Sequence, residues 1–210
     1  MPGLLITFEG PEGAGKSTQV ARLRERLADR DVEVYREPGG TALGDRIREL
    51  LLNGEPMHAN TEMFLFMAAR AELIAQRLEP ALLRGAIVVL DRYHDSTLAY
   101  QGARGARTFW PESFPRPDLT VLLRLDPQRG LWRQRQAGRA LDRIESEPDE
   151  FHLRVAAEYD RLAAAEPGRF LTVDAMHEAD VIEGLVWTRV SELLSGTPSP
   201  ALPARGREAS

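Results

Sequence analysis

Short apolar runs alternate along the chain with stretches in which apolar residues recur every three or four positions. The runs at 4–8, 32–35, 86–90, 119–125 and 170–173 are rich in Leu, Ile and Val and read as buried strands. Between them the spacing predicts helices over 15–30, 42–52, 61–84, 128–136, 149–165 and 179–194. In the first of these, Val20, Leu23 and Leu27 fall on one face. Strands that alternate with helical segments indicate a parallel sheet joined by crossover helices. The expected fold class is therefore α/β, as three α/β/α layers around a parallel sheet of about five strands. Asn60 is placed as the N-cap of the long third helix, Pro80 should kink or break it, and Gly85 should close it. Residues 1–195 are expected to form one domain. The stretch 196–210, with Pro198, Pro200 and Pro203, has too few apolar residues to pack and is expected to be disordered.

The 210 residues are 43% hydrophobic and 28% charged, enough for one core and too few for two full domains. A net charge of −5 gives the whole molecule no electrostatic footprint for nucleic acid or an anionic membrane. There is no cysteine, hence no disulfide framework or thiolate metal site. No apolar stretch reaches membrane-spanning length and no leader pattern is present, so a cytoplasmic protein is expected.

Charge becomes informative when it is sorted by type. Of 27 basic residues only Lys16 is a lysine, and it lies within Gly10-Pro11-Glu12-Gly13-Ala14-Gly15-Lys16-Ser17. A position that keeps an ammonium while every other cation is Arg needs a compact charge on a flexible stem. The pattern G-x-x-x-x-G-K-[ST] follows a predicted strand and opens a predicted helix, the context a P-loop requires. Its glycines let backbone N–H groups curl around an anion, Lys16 reaches the β- and γ-phosphates, and the Ser17 hydroxyl can ligate Mg²⁺.

In an open parallel sheet, chemistry gathers at the carboxyl ends of the strands. The polar segments there are Arg36-Glu37-Pro38-Gly39-Gly40-Thr41 and Asp91-Arg92-Tyr93-His94-Asp95-Ser96-Thr97-Leu98-Ala99-Tyr100-Gln101. Asp91, at a strand end beside the P-loop, is placed to hold Mg²⁺, and Arg92 offers a fork for a second phosphate. Alone, the pair also reads as a strand-end ion pair.

These two segments, the loop Phe8 to Ser17, Phe66-Met67-Ala68-Ala69-Arg70 and Leu141-Asp142-Arg143-Ile144-Glu145 together resemble the bacterial thymidylate kinases, a family of P-loop nucleoside monophosphate kinases. The likeness runs in order from the N-terminus to about residue 165. It implies a P-loop NTPase fold, phosphorylation of dTMP to dTDP by ATP with Mg²⁺, a small mobile lid at about 133–148, and a homodimer. ATP would be held by Gly10 to Thr18. Phe66 and Arg70, spaced i, i+4, share a helix face, so a ring can stack on a pyrimidine while a guanidinium donates to its O4. The resemblance makes Ser96, Thr97 and Gln101 further thymine contacts and Tyr100 the bulk that excludes a ribose 2′-OH. It also makes Glu12 the acceptor from the sugar 3′-OH and puts Glu37 in the same cleft. Arg48 and Arg92 resemble the clamp on the acceptor phosphate.

One departure divides the family. Some members carry an arginine in the phosphate loop where this chain has Gly13, so the cation for the transferred group is expected from the lid, which holds Arg133, Arg135, Arg139 and Arg143. Arg143 is the expected catalytic arginine, beside Lys16 and Arg92. The four histidines lack metal-ligand spacing, and His94 reads as a bystander. Trp110, Trp132 and Trp187 read as packing residues. Another nucleotide kinase of the same fold stays open as an alternative. A GTPase-type switch does not, because its N-K-x-D guanine reader needs a second lysine.

Overall fold

The computed structural model describes residues 3–136, 138 and 141–196. Strands β1 (Leu4–Glu9), β2 (Val32–Arg36), β3 (Ile87–Asp91), β4 (Leu119–Arg124) and β5 (Phe170–Asp174) form one sheet in the order β2-β3-β1-β4-β5. All pairings are parallel, with Ile6 of β1 between Val89 of β3 and Leu119 of β4. The three central strands are covered on both faces, which is why they read as unbroken apolar runs rather than as an alternation. The edge strand β2 is only half-buried and keeps the polar Glu33 and Tyr35.

The helices are α1 (Lys16–Arg26), α2 (Ala42–Asn53), α3 (Ala59–Leu73), α4 (Glu79–Leu83), α5 (His94–Ala103), α6 (Pro127–Gln136), α7 (Asp149–Ala165) and α8 (Ala179–Ser195). Successive side chains of a strand face opposite ways. Ile6 and Phe8 of β1 therefore meet Val20, Leu23 and Leu27 together with Ile182, Val186 and Val190 of α8 on one face. Leu5 meets Leu73, Ile74 and Leu78 on the other, where Leu122 of β4 packs with Tyr100 of α5 and Tyr159 of α7. These are the expected three layers.

Three local expectations are corrected and those for Pro80 and Gly85 are met. The first helix stops at Arg26, not Arg30, because Leu27 leaves helical geometry. His58 rather than Asn60 caps α3, its Nδ1 accepting from the Asn60 N–H at 3.2 Å. As expected, the long third helix does not run unbroken past Pro80: α3 ends at Leu73, the chain widens into a π-turn at Ile74–Leu78, and Pro80 enters the first turn of α4, where its missing N–H has no partner to lose. Gly85 closes α4 at φ +87°. Last, residues 94–103, read only as a polar segment with no helix assigned, are α5; its polar side chains line a cleft instead of facing water, which hides the helical period.

The P-loop and α6 meet backbone to backbone. A Cβ on Gly13 would lie 2.3 Å from the Gly130 carbonyl oxygen, and one on Gly130 2.0 Å from the Glu12 carbonyl oxygen. An arginine at position 13 is therefore excluded by space. Gly130→Ala should lower stability by about 1–3 kcal/mol in urea unfolding, whereas Gly184→Ala, in open space on α8, should raise it by about 0.5–1 kcal/mol. A Gly130→Ala protein as stable as the parent would contradict this packing.

Candidate active site

A cleft of about 370 Å³ opens at the carboxyl ends of β1, β2 and β3. At one end Gly13, Gly15, Lys16, Ser17 and Thr18 line it. Gly13 (φ +69°) and Gly15 (φ +90°) take the left-handed conformation that curls the loop, and Gly15 caps α1 so that the helix N-terminus points at the cleft. Ala14 is buried in the core. Lys16 Nζ folds back to donate to the Gly10 and Pro11 carbonyls at 3.0 and 2.7 Å. Burial, and then the charge of Arg92, lowers its pKa to about 8. Ser17 Oγ donates to Asp91 Oδ2 at 2.6 Å, so the two expected Mg²⁺ ligands are side by side.

Arg92 forms the middle of the cleft. It adopts φ +72°, and its guanidinium donates to Glu12 Oε1 (2.6 Å), the Gly10 carbonyl (3.1 Å), Ser96 Oγ (3.2 Å) and the Tyr100 and Tyr159 hydroxyls (both 3.3 Å). Tyr100 in turn donates to Glu12 Oε2 at 2.7 Å. Burial alone would raise the Glu12 carboxyl, but Arg92 and Lys16 outweigh it and hold Glu12 below the usual range. Glu9, fully buried beneath, accepts from the Tyr93 N–H, Ser96 Oγ and Tyr159 hydroxyl. Burial, and then the Asp95 charge, pushes its pKa up to about 7.

At the far end Phe66, Arg70, Thr97 and Gln101 face the cleft, with Glu37 and Arg48 on the β2 side. Arg70 is 2% exposed. Its Nε donates to Glu37 (2.6 Å), Nη1 to Thr97 Oγ1 (2.9 Å) and His94 Nδ1 (3.0 Å), and Nη2 to the Tyr93 carbonyl (3.0 Å). Four of its five N–H groups are taken, leaving one on Nη2. His94 is no bystander. Its Nε2 lies 2.7 Å from the Phe109 carbonyl and must donate, so Nδ1 accepts from Arg70 and the ring is neutral. Burial, and then Arg70, lowers its pKa to about 3. Arg48 Nη1 donates to the Pro38 carbonyl at 2.9 Å.

Residues 8–185 match the family model for thymidylate kinase. The thymidylate kinase of Thermomicrobium roseum is 48% identical over 206 residues, covering 93% of this chain and 98% of that protein. That of Deinococcus radiodurans is 48% identical over 204 residues, covering 90% and 97%. The Solidesulfovibrio magneticus thymidylate kinase is 44% identical over 209 residues, covering 91% and 100%.

This chain belongs to the thymidylate kinase family.

The arginine expected to act from the lid is not in the cleft. Arg143 donates through Nε and Nη2 to the Leu51 carbonyl at 3.0 and 2.8 Å, and through Nη2 to Glu62 Oε2 at 2.5 Å. Its neighbours Asp142 and Ile144 line the cleft while its own side chain turns to the end of α2. In this thymidylate kinase fold Arg133 is, among the described residues of that segment, the arginine that reaches the cleft, 3.4 Å from the Gly13 carbonyl. Arg135 is exposed and Arg139 lies outside the described residues, as do 197–210. Trp132 is 58% exposed and does not pack, unlike Trp110 against Tyr93 and His94, or Trp187 on the core. Sequence reasoning gave no role to Glu9, Tyr159 or Arg36. Glu9 carried a signal, a carboxylate closing an otherwise apolar strand; Tyr159 sits inside an ordinary amphipathic helix and carried none.

The raised Glu9 pKa makes a linkage prediction. The folded state holds a proton that the unfolded chain releases near 4.5, so this contribution to stability is complete below about pH 4.5 and is lost as pH rises through about 7. The stability difference between parent and Glu9→Gln should therefore move against the parent by on the order of 2 kcal/mol between pH 4.5 and 8 in urea unfolding. A difference that stays flat over that range would contradict it.

Proposed function

We propose that this cleft transfers the γ-phosphoryl group of ATP, taken as its Mg²⁺ complex, to dTMP, giving dTDP and ADP. The observation that carries the reading is one cleft with a P-loop at one end and a buried donor-only arginine beside an aromatic ring at the other. Phosphate chemistry and base recognition thereby face each other across Arg92.

ATP phosphates entering the loop replace the Gly10 and Pro11 carbonyls as partners of Lys16, and the ammonium stabilises charge that develops in transfer. The Ser17 hydroxyl and Asp91 carboxylate are hard oxygen donors adjacent to that loop and fit Mg²⁺. When bound, the ion neutralises phosphate charge. Arg92 and Arg48 clamp the acceptor phosphate, which must be neutralised before one polyanion can approach another. Phe66 stacks on the thymine, the remaining Nη2–H of Arg70 donates to O4, and Ser96 and Thr97 hold the two arginines in place. Glu12 accepts from the 3′-OH, and Tyr100, tied to Glu12 and Arg92, fills the space a 2′-OH would need. The segment 133–148 closes over ATP as a lid, with Arg133 rather than Arg143 bringing charge to the transferred group.

Two copies pair as a homodimer in the cytoplasm; Leu50 of α2 and Phe64 of α3 are more than half exposed and supply apolar surface for pairing. No helix among the described residues is long and apolar enough to cross a membrane.

A coupled ADP-release assay with ATP and dTMP, dUMP, dCMP, dGMP, AMP and UMP tests the reading. dTMP should be preferred over dCMP by about 10³ or more, because an arginine cannot accept from a cytosine amino group. Lys16→Met should lower kcat at least ~10²-fold. Equal turnover of dTMP and dCMP, or an active Lys16→Met protein, would overturn it.

A further inference from the structure

Glu62 lies outside the cleft, fully buried on α3. Its Oε1 accepts from Gln101 Nε2 at 2.8 Å and its Oε2 from Arg143 Nη2 at 2.5 Å. Arg104 forms an ion pair with the same carboxylate, its Nε 3.1 Å from Oε1, and its Nη2 reaches Glu147 on the other side at 2.8 Å. A carboxylate between two guanidinium groups accepts and does not donate, so it admits only one orientation of the Gln101 amide, with the NH₂ toward Glu62. Gln101 also lines the cleft, and its Oε1 has no hydrogen-bond partner among the described residues. The atom offered to the base is therefore an acceptor.

We infer that Glu62 is a remote specificity-determining residue, a positioning group that fixes the polarity of the Gln101 amide so that the acceptor site accepts a pyrimidine carrying a proton on N3. The inference rests on the reading that the base of dTMP lies among Phe66, Arg70 and Gln101. Arg70 donates to the position 4 substituent and Gln101 accepts from position 3. Thymine and uracil present an acceptor at O4 and a donor at N3–H; cytosine presents the reverse at both. Two buried carboxylates divide the work, with Glu37 orienting Arg70 and Glu62 orienting Gln101. Arg143 and Arg104 enter as the counter-charges that let Glu62 sit buried, which gives Arg143 a role in base recognition without contact with either substrate.

The test is steady-state kinetics of Glu62→Gln in the full chain with dTMP, dUMP and dCMP. The substituted amide puts an NH₂ in place of one carboxylate oxygen; with its carbonyl turned to Arg143, that NH₂ faces Gln101, which is then free to turn. The kcat/KM preference for dTMP over dCMP should fall at least about tenfold, chiefly through KM for dTMP, with kcat for dTMP within about threefold of the parent. The dTMP to dUMP ratio should not move, since both bases share the same edge. In a Gln101→Met background Glu62→Gln should leave the dTMP to dCMP ratio unchanged. An unmoved ratio in the single variant, or an equal fall in both backgrounds, overturns the inference. A parent enzyme with no preference for dTMP over dCMP would instead remove the proposed function itself. If Glu62→Gln does not fold, side-chain amide NMR of the parent decides. The Gln101 Nε2 protons should stay protected and barely shift when dTMP is added, and a large shift on titration would show that the NH₂ faces the base.

Discussion

A buried guanidinium carries five N–H groups, and each one left without an acceptor costs about as much as the hydrogen bond it fails to make. Arg70 and Arg92 impose this condition on the whole cleft. Satisfying Arg70 takes Glu37 from the end of β2, Thr97 and His94 from α5, and the Tyr93 carbonyl. Satisfying Arg92 takes Glu12 and Gly10 from the P-loop, Ser96 and Tyr100 from α5, and Tyr159 from α7. Two side chains thus draw on three elements and the P-loop. The result is a set of donors fixed in the cleft by folding itself, which in the proposed reading spares the ordering that substrate binding would otherwise demand.

This arrangement works against stability in places. Arg92 holds a positive φ that a non-glycine residue adopts at a cost of about 1–3 kcal/mol. Glu9 is a carboxylate taken fully out of water, its three donors offsetting only part of that penalty. The sheet compensates. Its central strands are covered on both faces by apolar side chains of α1, α8, α5 and α7, and that non-directional packing holds the strained residues where local preference alone would not.

What the sequence made legible follows the same division. Strands came through within a residue or two because burial on both faces leaves an apolar run, and the P-loop came through because its glycines and lone lysine have few other uses. The helix α5 did not, since its inward face is polar for the sake of the cleft: His94, Ser96, Thr97 and Gln101 are all buried. Arg143 was assigned to the transferred phosphate on the strength of its motif, yet a motif places a residue and not its rotamer, and the backbone carbonyl of Leu51 and the carboxylate of Glu62 turn the side chain away. Gly13 was legible as a departure. Its cause, the backbone of Gly130 in the same space, is a tertiary contact that no local reading contains.

In the proposed reading the acceptor end of the cleft is organised before substrate arrives. Nitrogen-15 relaxation of the Arg70 and Arg92 Nε–H groups, measured without ligand and again with saturating dTMP, tests it most directly. Order parameters near those of rigid backbone, about 0.85, are expected in both states. Values below about 0.6 in the free protein that rise only when dTMP is added would contradict it, because the guanidinium groups would then be fixed by the substrate and not by their internal partners.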